Sequence, residues 1–247
     1  MVIYILWLRQ LKRYLRSKSR IIGSLGQPLL FLLALGYGIG PIYQKAGEGS
    51  YIEFLAPGII AMSILFTSMF SGIEIIWDRQ FGFLKEIMVA PVSRIIIMIG
   101  RTLGGATVAT MQGMVVFLIS LAVGFRPSNI SALPAALMVM ILIALLFTAL
   151  GTAVASMLED FQGFQLIMNF LIMPLFFLSG ALFPLQGLPK IVAGITMINP
   201  LSYGVDALRG LLTNNYHFGL PLDLSVLSGV TLLFLLIGSY LFSRIEL

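Results

Sequence analysis

The sequence contains no cysteine and only one histidine, His217. The first absence excludes disulfide bonds, thiolate metal sites and cysteine nucleophiles, and the second excludes any metal site built from several histidines. Charged residues are also scarce: they make up 10% of the 247 residues, against about 25% in a typical soluble domain. With 59% apolar residues and a mean hydropathy of +1.02, the composition predicts a protein embedded in a membrane.

Familiar catalytic motifs are missing as well. The sequence has no H-E-x-x-H, no G-x-S-x-G and no G-x-x-x-x-G-K-[ST] phosphate loop, and none of its five lysines follows a glycine. The chain therefore carries no P-loop with which to hydrolyse ATP. An intramembrane enzyme or an ion-driven transporter would need ionisable groups deep in the bilayer. Both classes are disfavoured, because the apolar stretches are nearly free of charge.

Six apolar stretches are each long enough to cross the roughly 30 Å of bilayer hydrocarbon, which takes about 20 residues of helix. They predict an all-α integral membrane protein with six transmembrane helices in residues 21–247, preceded by an interfacial amphipathic helix in residues 1–20. The predicted spans are residues 21–40, 54–76, 95–123, 132–157, 162–183 and 222–242.

The first twenty residues combine six basic side chains with an apolar stripe at helical spacing that includes Trp7 and Tyr14. This pattern is typical of a helix at the membrane interface, where basic side chains meet anionic lipid headgroups. A basic tail that binds nucleic acid is the alternative. Such tails rarely keep an apolar stripe, so we expect the lipid bilayer and no nucleic acid as the partner.

The distribution of basic residues predicts the orientation of the chain. Six spans place both termini on one side of the membrane, and eleven of the 15 Lys and Arg residues fall in segments on that side. Cytoplasmic segments carry an excess of Lys and Arg. We therefore expect cytoplasmic N- and C-termini in a multi-pass protein of the cytoplasmic (inner) membrane.

Two connecting segments are too long to be simple turns. Residues 78–91 begin with an acidic residue, place apolar residues at helical spacing and end at Pro91, which predicts a short amphipathic cytoplasmic helix. Such a helix could dock on a partner protein or lie on lipid. Residues 184–221 are too apolar for a free outer loop and predict two short helices broken at Pro200, re-entrant and packed against the fifth and sixth spans.

A few polar residues near the spans have two interpretations each. Glu74 either pairs with a basic residue at the interface or lines a substrate entrance. Asp206 and Arg209 are three residues apart and so share a helix face; they form either a structural ion pair at an outer gate or a contact for substrate. Asn169 is more simply an interhelical hydrogen bonder than an ion ligand.

Several stretches of the sequence resemble the type-2 ABC transporter permeases, especially the small drug exporters of that family. The resemblance is carried by DRQFGFLKEIMVAPVSR (78–94), GRTLGG (100–105), LSGALFPLQGLP (178–189) and INPLSYGVDALRG (198–210). One departure is Gln80, which stands where the family often has a second acidic residue.

The resemblance implies that the 78–91 helix is a coupling helix, which docks on a separate cytoplasmic ABC ATPase. It implies two ATPase copies, which bind ATP and magnesium, and a second copy of this chain or a homologous permease. The chain itself would hold no cofactor and no metal and would not be an enzyme. The residues assigned to ATPase coupling are Arg79, Phe81, Gly82, Leu84, Glu86 and Pro91.

The resemblance also implies a substrate path between two permeases, lined mainly by the second and fifth spans. The candidates for this path are Phe66, Met69, Phe70, Asn169, Met173, Phe176 and Phe177, and the outer gate candidates are Pro200, Asp206 and Arg209. The expected function is export of amphipathic or hydrophobic, drug- or lipid-like molecules. A permease for polysaccharide or glycolipid export is the alternative, and a membrane assembly factor without transport is a third.

Overall fold

The computed structural model describes residues 1–45, 49–83 and 92–244, and all regular secondary structure in these ranges is helical. We number the helices in chain order. They are α1 Val2–Arg16, α2 Lys18–Lys45, α3 Tyr51–Ser71, α4 Ile73–Gln80, α5 Arg94–Val123, the 3₁₀ turn Ile130–Ala132, α6 Leu133–Met157, α7 Phe161–Phe177, α8 Lys190–Ile198, α9 Pro200–Thr213 and α10 Leu220–Ser243.

Within the described residues, five helical segments are long and apolar enough to cross a bilayer. They are Lys18–Lys45, Tyr51–Gln80, Arg94–Val123, Ile130–Met157 and Leu220–Ser243. They correspond to the predicted spans one to four and six. The chain is thus an all-α integral membrane protein, as its composition and periodicity predict.

The predicted fifth span, residues 162–183, forms a shorter helix than expected. α7 has 17 residues and is about 26 Å long at 1.5 Å per residue. Its last carbonyl groups accept hydrogen bonds from α9: Asn199 Nδ2 lies 2.7 Å from the Leu175 oxygen, and Ser202 Oγ lies 3.5 Å from the Leu178 oxygen. These bonds take the place of a further helical turn.

α3 lies at the centre of the bundle and is buried along most of its length. It contacts α2, α5, α6, α7 and α9. α2 and α10 have few buried residues and so form the outside of the bundle. This arrangement leaves their apolar side chains for lipid or for another membrane protein.

Glycine allows α6 to touch the junction between α3 and α4. A Cβ atom added at Gly72 would lie 2.4 Å from the Gly151 oxygen, and one added at Gly151 would lie 2.5 Å from the Met69 oxygen. Only residues without a side chain permit this approach, as at other small-residue contacts between membrane helices. The second and fourth spans are therefore in backbone contact in the last third of each, at Gly72 and Gly151.

A helix forms near the N-terminus as predicted, but α1 ends at Arg16, residues 18–20 belong to α2, and part of the apolar side of α1 covers protein. It runs along α5: the Trp7 indole N–H donates to Thr107 Oγ1 at 2.9 Å, and the buried Tyr14 hydroxyl donates to Gln112 Oε1. Gly104 faces the Gln10 side chain at this contact. Tyr4, Ile5 and Leu15 stay exposed and can still face lipid.

The segment predicted to be re-entrant contains two helices, α8 and α9, which meet at an angle of 86°. The break falls at Asn199, with Pro200 in the first turn of α9, where proline suits a helix because its missing N–H is not needed. α9 packs against the sixth span, α10, as predicted, and also against α3 and α6. The hydrogen bonds from Asn199 and Ser202 connect it to the fifth span.

Candidate functional site

A cluster of two carboxylates and four arginines joins α1, α2, α4 and α5. Glu74 and Asp78 are four residues apart on α4 and therefore share one face of the helix. We call the set the carboxylate–arginine cluster. Its members are Arg9, Arg13, Arg20, Glu74, Asp78 and Arg101.

Asp78 is the most buried centre of this cluster. Its two carboxylate oxygens contact Arg9 NH2 at 3.0 Å and Arg101 NH2 at 2.5 Å. The Arg101 side chain is only 4% exposed, so its charge depends on the one carboxylate beside it. Removing a partner from a buried ion pair is costly because the remaining charge stays away from water. Asp78 thus holds α1 and α5 to the end of α4.

Glu74 pairs with basic residues, which is the first of the two interpretations of this residue. Its oxygens lie 3.6 Å from Arg13 NH1 and 3.1 Å from Arg20 NH1. Glu74 also lines a cavity of about 320 Å³ together with Phe66 and Phe70. The two interpretations of Glu74 are therefore compatible.

Arg79 and Gln80 attach the end of α4 to the connection between α6 and α7. Arg79 donates to the carbonyl oxygens of Leu158 at 3.2 Å and Ser156 at 3.5 Å, and Gln80 Nε2 donates to that of Glu159 at 3.3 Å. Together with the cluster, these bonds connect α4 to four other helices, α1, α2, α5 and α6.

The amphipathic helix predicted for residues 78–91 does not begin at Asp78. Residues 78–80 complete α4, because Asp78 and Arg79 have partners on other helices. Beyond Gln80, Phe81 is 83% exposed and Gly82 has a φ of +75°. Both were assigned to ATPase coupling. Leu84, Glu86 and Pro91 lie outside the described residues.

Phe83 is the last residue of the described range 49–83, and it lies beside α1. The Arg9 guanidinium carbon is 4.1 Å from the centre of the Phe83 ring, a cation–π distance. Arg9 therefore contacts both Asp78 and the start of the segment that follows α4.

The polar residues of α9 bind backbone groups instead of each other. Asp206 accepts hydrogen bonds from the backbone N–H groups of His217 and Phe218, both at 2.7 Å. Arg209 donates to the carbonyl oxygens of Phe54 and Gly180, at 3.2 and 2.9 Å. We call Asn199, Asp206 and Arg209 the backbone-bonding set.

The predicted ion pair between Asp206 and Arg209 is therefore wrong. No salt bridge within 4 Å joins these two side chains. The physical reason is that buried N–H and C=O groups need partners, and the first turn of α3 and the loops beside α9 present such groups to these side chains. Asn199 acts in the same way: its Oδ1 accepts from the Leu201 N–H at 3.0 Å and caps α9.

The residues predicted to line a substrate path divide into three groups. Met69 and Phe176 are core residues with 0% and 1% exposure. Phe66 and Phe70 line the cavity beside Glu74. The remaining three, Asn169, Met173 and Phe177, share an exposed face of α7.

That exposed face of α7 also carries two glutamines that sequence reasoning missed. Gln162 and Gln165 are exposed and precede Asn169 at a spacing of three and four residues, which puts all three amides on one side of the helix. The spacing was visible in the sequence. We call Gln162, Gln165, Asn169, Met173 and Phe177 the polar face of α7.

Asp223 is another residue that the sequence did not single out. It lies in the first turn of α10 and is fully buried. Within the described residues, neither of its carboxylate oxygens has a hydrogen-bond partner. The positive end of the helix dipole favours a carboxylate in a first turn. The sequence does contain a signal for this position, because Asp223 closely follows the helix start Gly-Leu-Pro at residues 219–221.

Comparison with known proteins places the chain among membrane transporters. The profile of the family described as ABC-2 type transporter matches residues 1–213. The chain belongs to the ABC-2 type transporter family. This confirms the resemblance drawn from the 78–94, 100–105, 178–189 and 198–210 stretches, all of which lie within the matched residues.

The chain is also similar to individual proteins along most of its length. The chain is 31% identical over 198 residues to nodulation protein J of Rhizobium leguminosarum bv. trifolii, covering 78% of this chain and 74% of the relative. It is 30% identical over 208 residues to nodulation protein J of Rhizobium meliloti, with coverage of 82% and 78%. It is also 28% identical over 207 residues to ycf38 of Cyanophora paradoxa, which carries a transport-permease name, with coverage of 81% and 70%.

Proposed function

We propose that the chain is the transmembrane permease subunit of an ABC exporter, which moves amphipathic or hydrophobic molecules across the membrane and is driven by a separate ATPase subunit. The observation that carries this proposal is the fixation of the end of α4. Asp78 and Arg79 connect it to α1, α5 and α6, immediately before residues 84–91. A force applied to that segment would therefore act on several helices at once.

The mechanism divides the work between two proteins. The ATPase binds ATP and magnesium, since the permease sequence has no P-loop. Residues 84–91, with Leu84, Glu86 and Pro91, dock on the ATPase. When the ATPase closes, the docked segment moves α4, and the ion pairs of the carboxylate–arginine cluster carry that movement to α1 and α5. α3 follows because it is continuous with α4 through Gly72.

The polar face of α7 supports a path between two permease copies. Amide side chains that face hydrocarbon lose their hydrogen bonds to water, which costs free energy. Gln162, Gln165 and Asn169 are exposed in the single chain, so a second copy, or a water-filled path, covers them in the assembly. Met173 and Phe177 extend the same face with adaptable apolar surface, which suits amphipathic cargo.

The basic residues support the orientation of the complex. Both termini and residues 84–91 lie on the cytoplasmic side of the cytoplasmic membrane, because that side then holds most of the Lys and Arg residues. α9 and the polar residues that it carries then lie towards the outer surface.

A co-purification experiment tests the ATPase partnership. The tagged chain is expressed with its neighbouring genes, extracted in mild detergent and purified, and the eluate is tested for a P-loop protein that hydrolyses ATP. We expect stoichiometric recovery of the ATPase, which is lost in a Leu84→Ala, Glu86→Lys double variant. Lys190→Glu, an exposed position near the start of α8, is the matched control and keeps the ATPase. Recovery of the chain alone would favour a non-transporting assembly factor.

A deletion strain separates the two kinds of cargo. Increased sensitivity to amphipathic toxic compounds supports a drug- or lipid-like cargo. Loss of a surface polysaccharide or glycolipid, with unchanged sensitivity, supports the alternative cargo. If neither changes, the export function is contradicted in both forms.

A further inference from the structure

A cavity of about 320 Å³ lies inside one copy of the chain, between α1, α2, α3, α4, α5 and α7. Its volume falls within the range of small-molecule sites, about 300–1,000 Å³. It is distinct from the polar face of α7, none of whose five residues lines it.

Aromatic side chains form much of the apolar wall of this cavity. Phe66 and Phe70 come from α3, Trp77 from α4 and Phe161 from the start of α7. Trp77 and Phe161 stack with their ring centres 6.1 Å apart and their planes 4° from parallel. These flat apolar surfaces can bury the hydrocarbon or ring portion of a ligand.

On the polar side of the cavity, two arginines face one carboxylate. Arg20 and Glu74 are the charged residues of the lining, and Arg13, which lies outside the lining, also contacts Glu74. Each arginine reaches Glu74 through one terminal nitrogen, and the two side chains remain 35% and 39% exposed. A guanidinium has five N–H donors, so both arginines keep donors for an additional anion.

The surroundings strengthen this preference for an anion. The first twenty residues contribute six basic side chains, whereas α4 presents only two carboxylates, both already paired. A cationic headgroup would meet net repulsion at this position. An anionic headgroup would gain charge-assisted hydrogen bonds, which are about twice as strong as neutral ones.

We propose that this cavity binds an anionic amphiphile, with its headgroup at Arg20 and its apolar body against Phe66, Phe70 and Trp77. The inference rests on the proposed export function for its role, since a cavity inside each copy can hold cargo before it reaches the path between two copies. Two sources share this chemistry: a bilayer phospholipid and a free amphiphile that is exported.

Trp77 provides a direct probe, because the chain has only two tryptophans and Trp7 packs elsewhere, against Thr107. In a Trp7→Phe variant of the full chain, Trp77 is the sole tryptophan. The purified protein in neutral detergent is titrated with phosphatidylglycerol or phosphatidylcholine that carries bromine in its acyl chains. We expect half-maximal quenching of Trp77 at about a tenfold lower lipid fraction with phosphatidylglycerol. Equal quenching by both lipids would overturn the proposal.

Two further variants separate the headgroup from the apolar body. Arg20→Gln should abolish the difference between the two lipids. Its control, Lys12→Gln, removes the same charge from an exposed position of α1 outside the cavity lining and should keep the difference.

Thr67→Phe fills the cavity and should remove most of the quenching of Trp77. Its control, Met138→Phe, adds a ring at an exposed position of α6 and should leave the quenching unchanged. Unchanged quenching in Thr67→Phe would place the lipid outside the cavity and contradict the proposal.

Competition identifies the source of the ligand. Unbrominated dodecyl phosphate is added after phosphatidylglycerol has quenched Trp77. Recovery of fluorescence supports a site that accepts a free single-chain amphiphile, and no recovery supports a resident phospholipid. Neither the lipid titration nor the competition with dodecyl phosphate needs ATP or the ATPase. A failure here therefore leaves the co-purification result standing, and a failed co-purification leaves this binding measurement interpretable.

Discussion

The two ends of the Tyr51–Gln80 helix use the same residue types in opposite ways. In its last two turns, Asp78 and Glu74 meet arginines from α1, α2 and α5. Near its first turn, α9 supplies an aspartate and an arginine that both bind backbone groups. Charged side chains thus connect helices to each other at one end and fix the shape of loops at the other.

The exposure of the arginines differs in the same sense. Three of the four cluster arginines, Arg9, Arg13 and Arg20, have side chains that are 33%, 35% and 39% exposed. Arg101 in the cluster and Arg209 on α9 are both buried, at 4% and 7% exposure. Partly exposed ion pairs contribute little free energy each and can exchange partners, while a buried charge with fixed backbone partners cannot move cheaply. The comparison teaches that the carboxylate–arginine cluster, with one buried ion pair and three partly exposed ones, connects helices and is suited to transmit movement between them, whereas the backbone-bonding set fixes backbone groups in place.

The largest loss of stability is expected for Arg209→Met. This change removes the charged donor that serves the carbonyl groups of Phe54 and Gly180, at about 1.5–3 kcal/mol for each hydrogen bond to a charged group, or about 4 kcal/mol in all. Thermal unfolding in detergent, followed by circular dichroism, should show a marked fall in melting temperature. Lys190→Met, at an exposed position, should change stability by less than about 0.5 kcal/mol. An equal effect of both changes would contradict the role of Arg209.

Asp78→Asn should have the next largest effect, about 3 kcal/mol, because the buried Arg101 loses its counter-charge. Adding Arg101→Met removes the uncompensated charge and should restore part of the stability. The same thermal unfolding assay measures both variants. A double variant less stable than Asp78→Asn alone would show that Arg101 does not depend on Asp78.

Gly104→Ala tests the contact between α1 and α5. The new Cβ atom would lie 2.6 Å from Gln10 Cγ and 2.7 Å from Gln10 Cβ, so α1 must move, at about 1–2 kcal/mol. Limited trypsin digestion at the arginines and lysines of α1 should become faster. Gly23→Ala is the matched control, since a Cβ atom there has nothing within 4 Å. Equal digestion of the two variants would rule out close packing of α1 on α5.

Glu74→Gln should have the smallest effect on stability, below about 1 kcal/mol, because its arginine partners are partly exposed. The melting temperature in detergent should fall by at most a few degrees, and the fall should disappear in high salt, which screens exposed ion pairs. A loss of stability as large as that of Asp78→Asn would show that Glu74 and Asp78 contribute equally to stability.

Local signals in the sequence predicted the long helices well. The third span was expected at residues 95–123 and is Arg94–Val123. Ser93 caps its start, with Oγ accepting from the Ile96 N–H, and Gly124 ends it with a φ of +117°. Both are short-range signals that the sequence contains. The division of residues 184–221 into two helices followed in the same way from Pro200.

Long-range partners explain what the sequence could not predict. The last turn of α4 was assigned to the next helix because its partners, Arg9 and Arg101, lie 69 and 23 residues away. The fifth span was drawn too long because the groups that terminate it, Asn199 and Ser202, come 24 residues later. Asp206 and Arg209 were paired with each other because their backbone partners are not visible in a side-chain pattern.

The central claim is that the carboxylate–arginine cluster transmits movement while the backbone-bonding set maintains the fold. The most direct test is ATP hydrolysis by the permease–ATPase complex in proteoliposomes, expressed per folded complex, for Asp78→Asn and for Asp206→Asn. We expect Asp78→Asn to lose most of the hydrolysis that depends on the permease, and Asp206→Asn to reduce the amount of folded complex while leaving the rate per complex unchanged. The reverse result, full hydrolysis in Asp78→Asn and a slow but stable Asp206→Asn complex, would contradict this account.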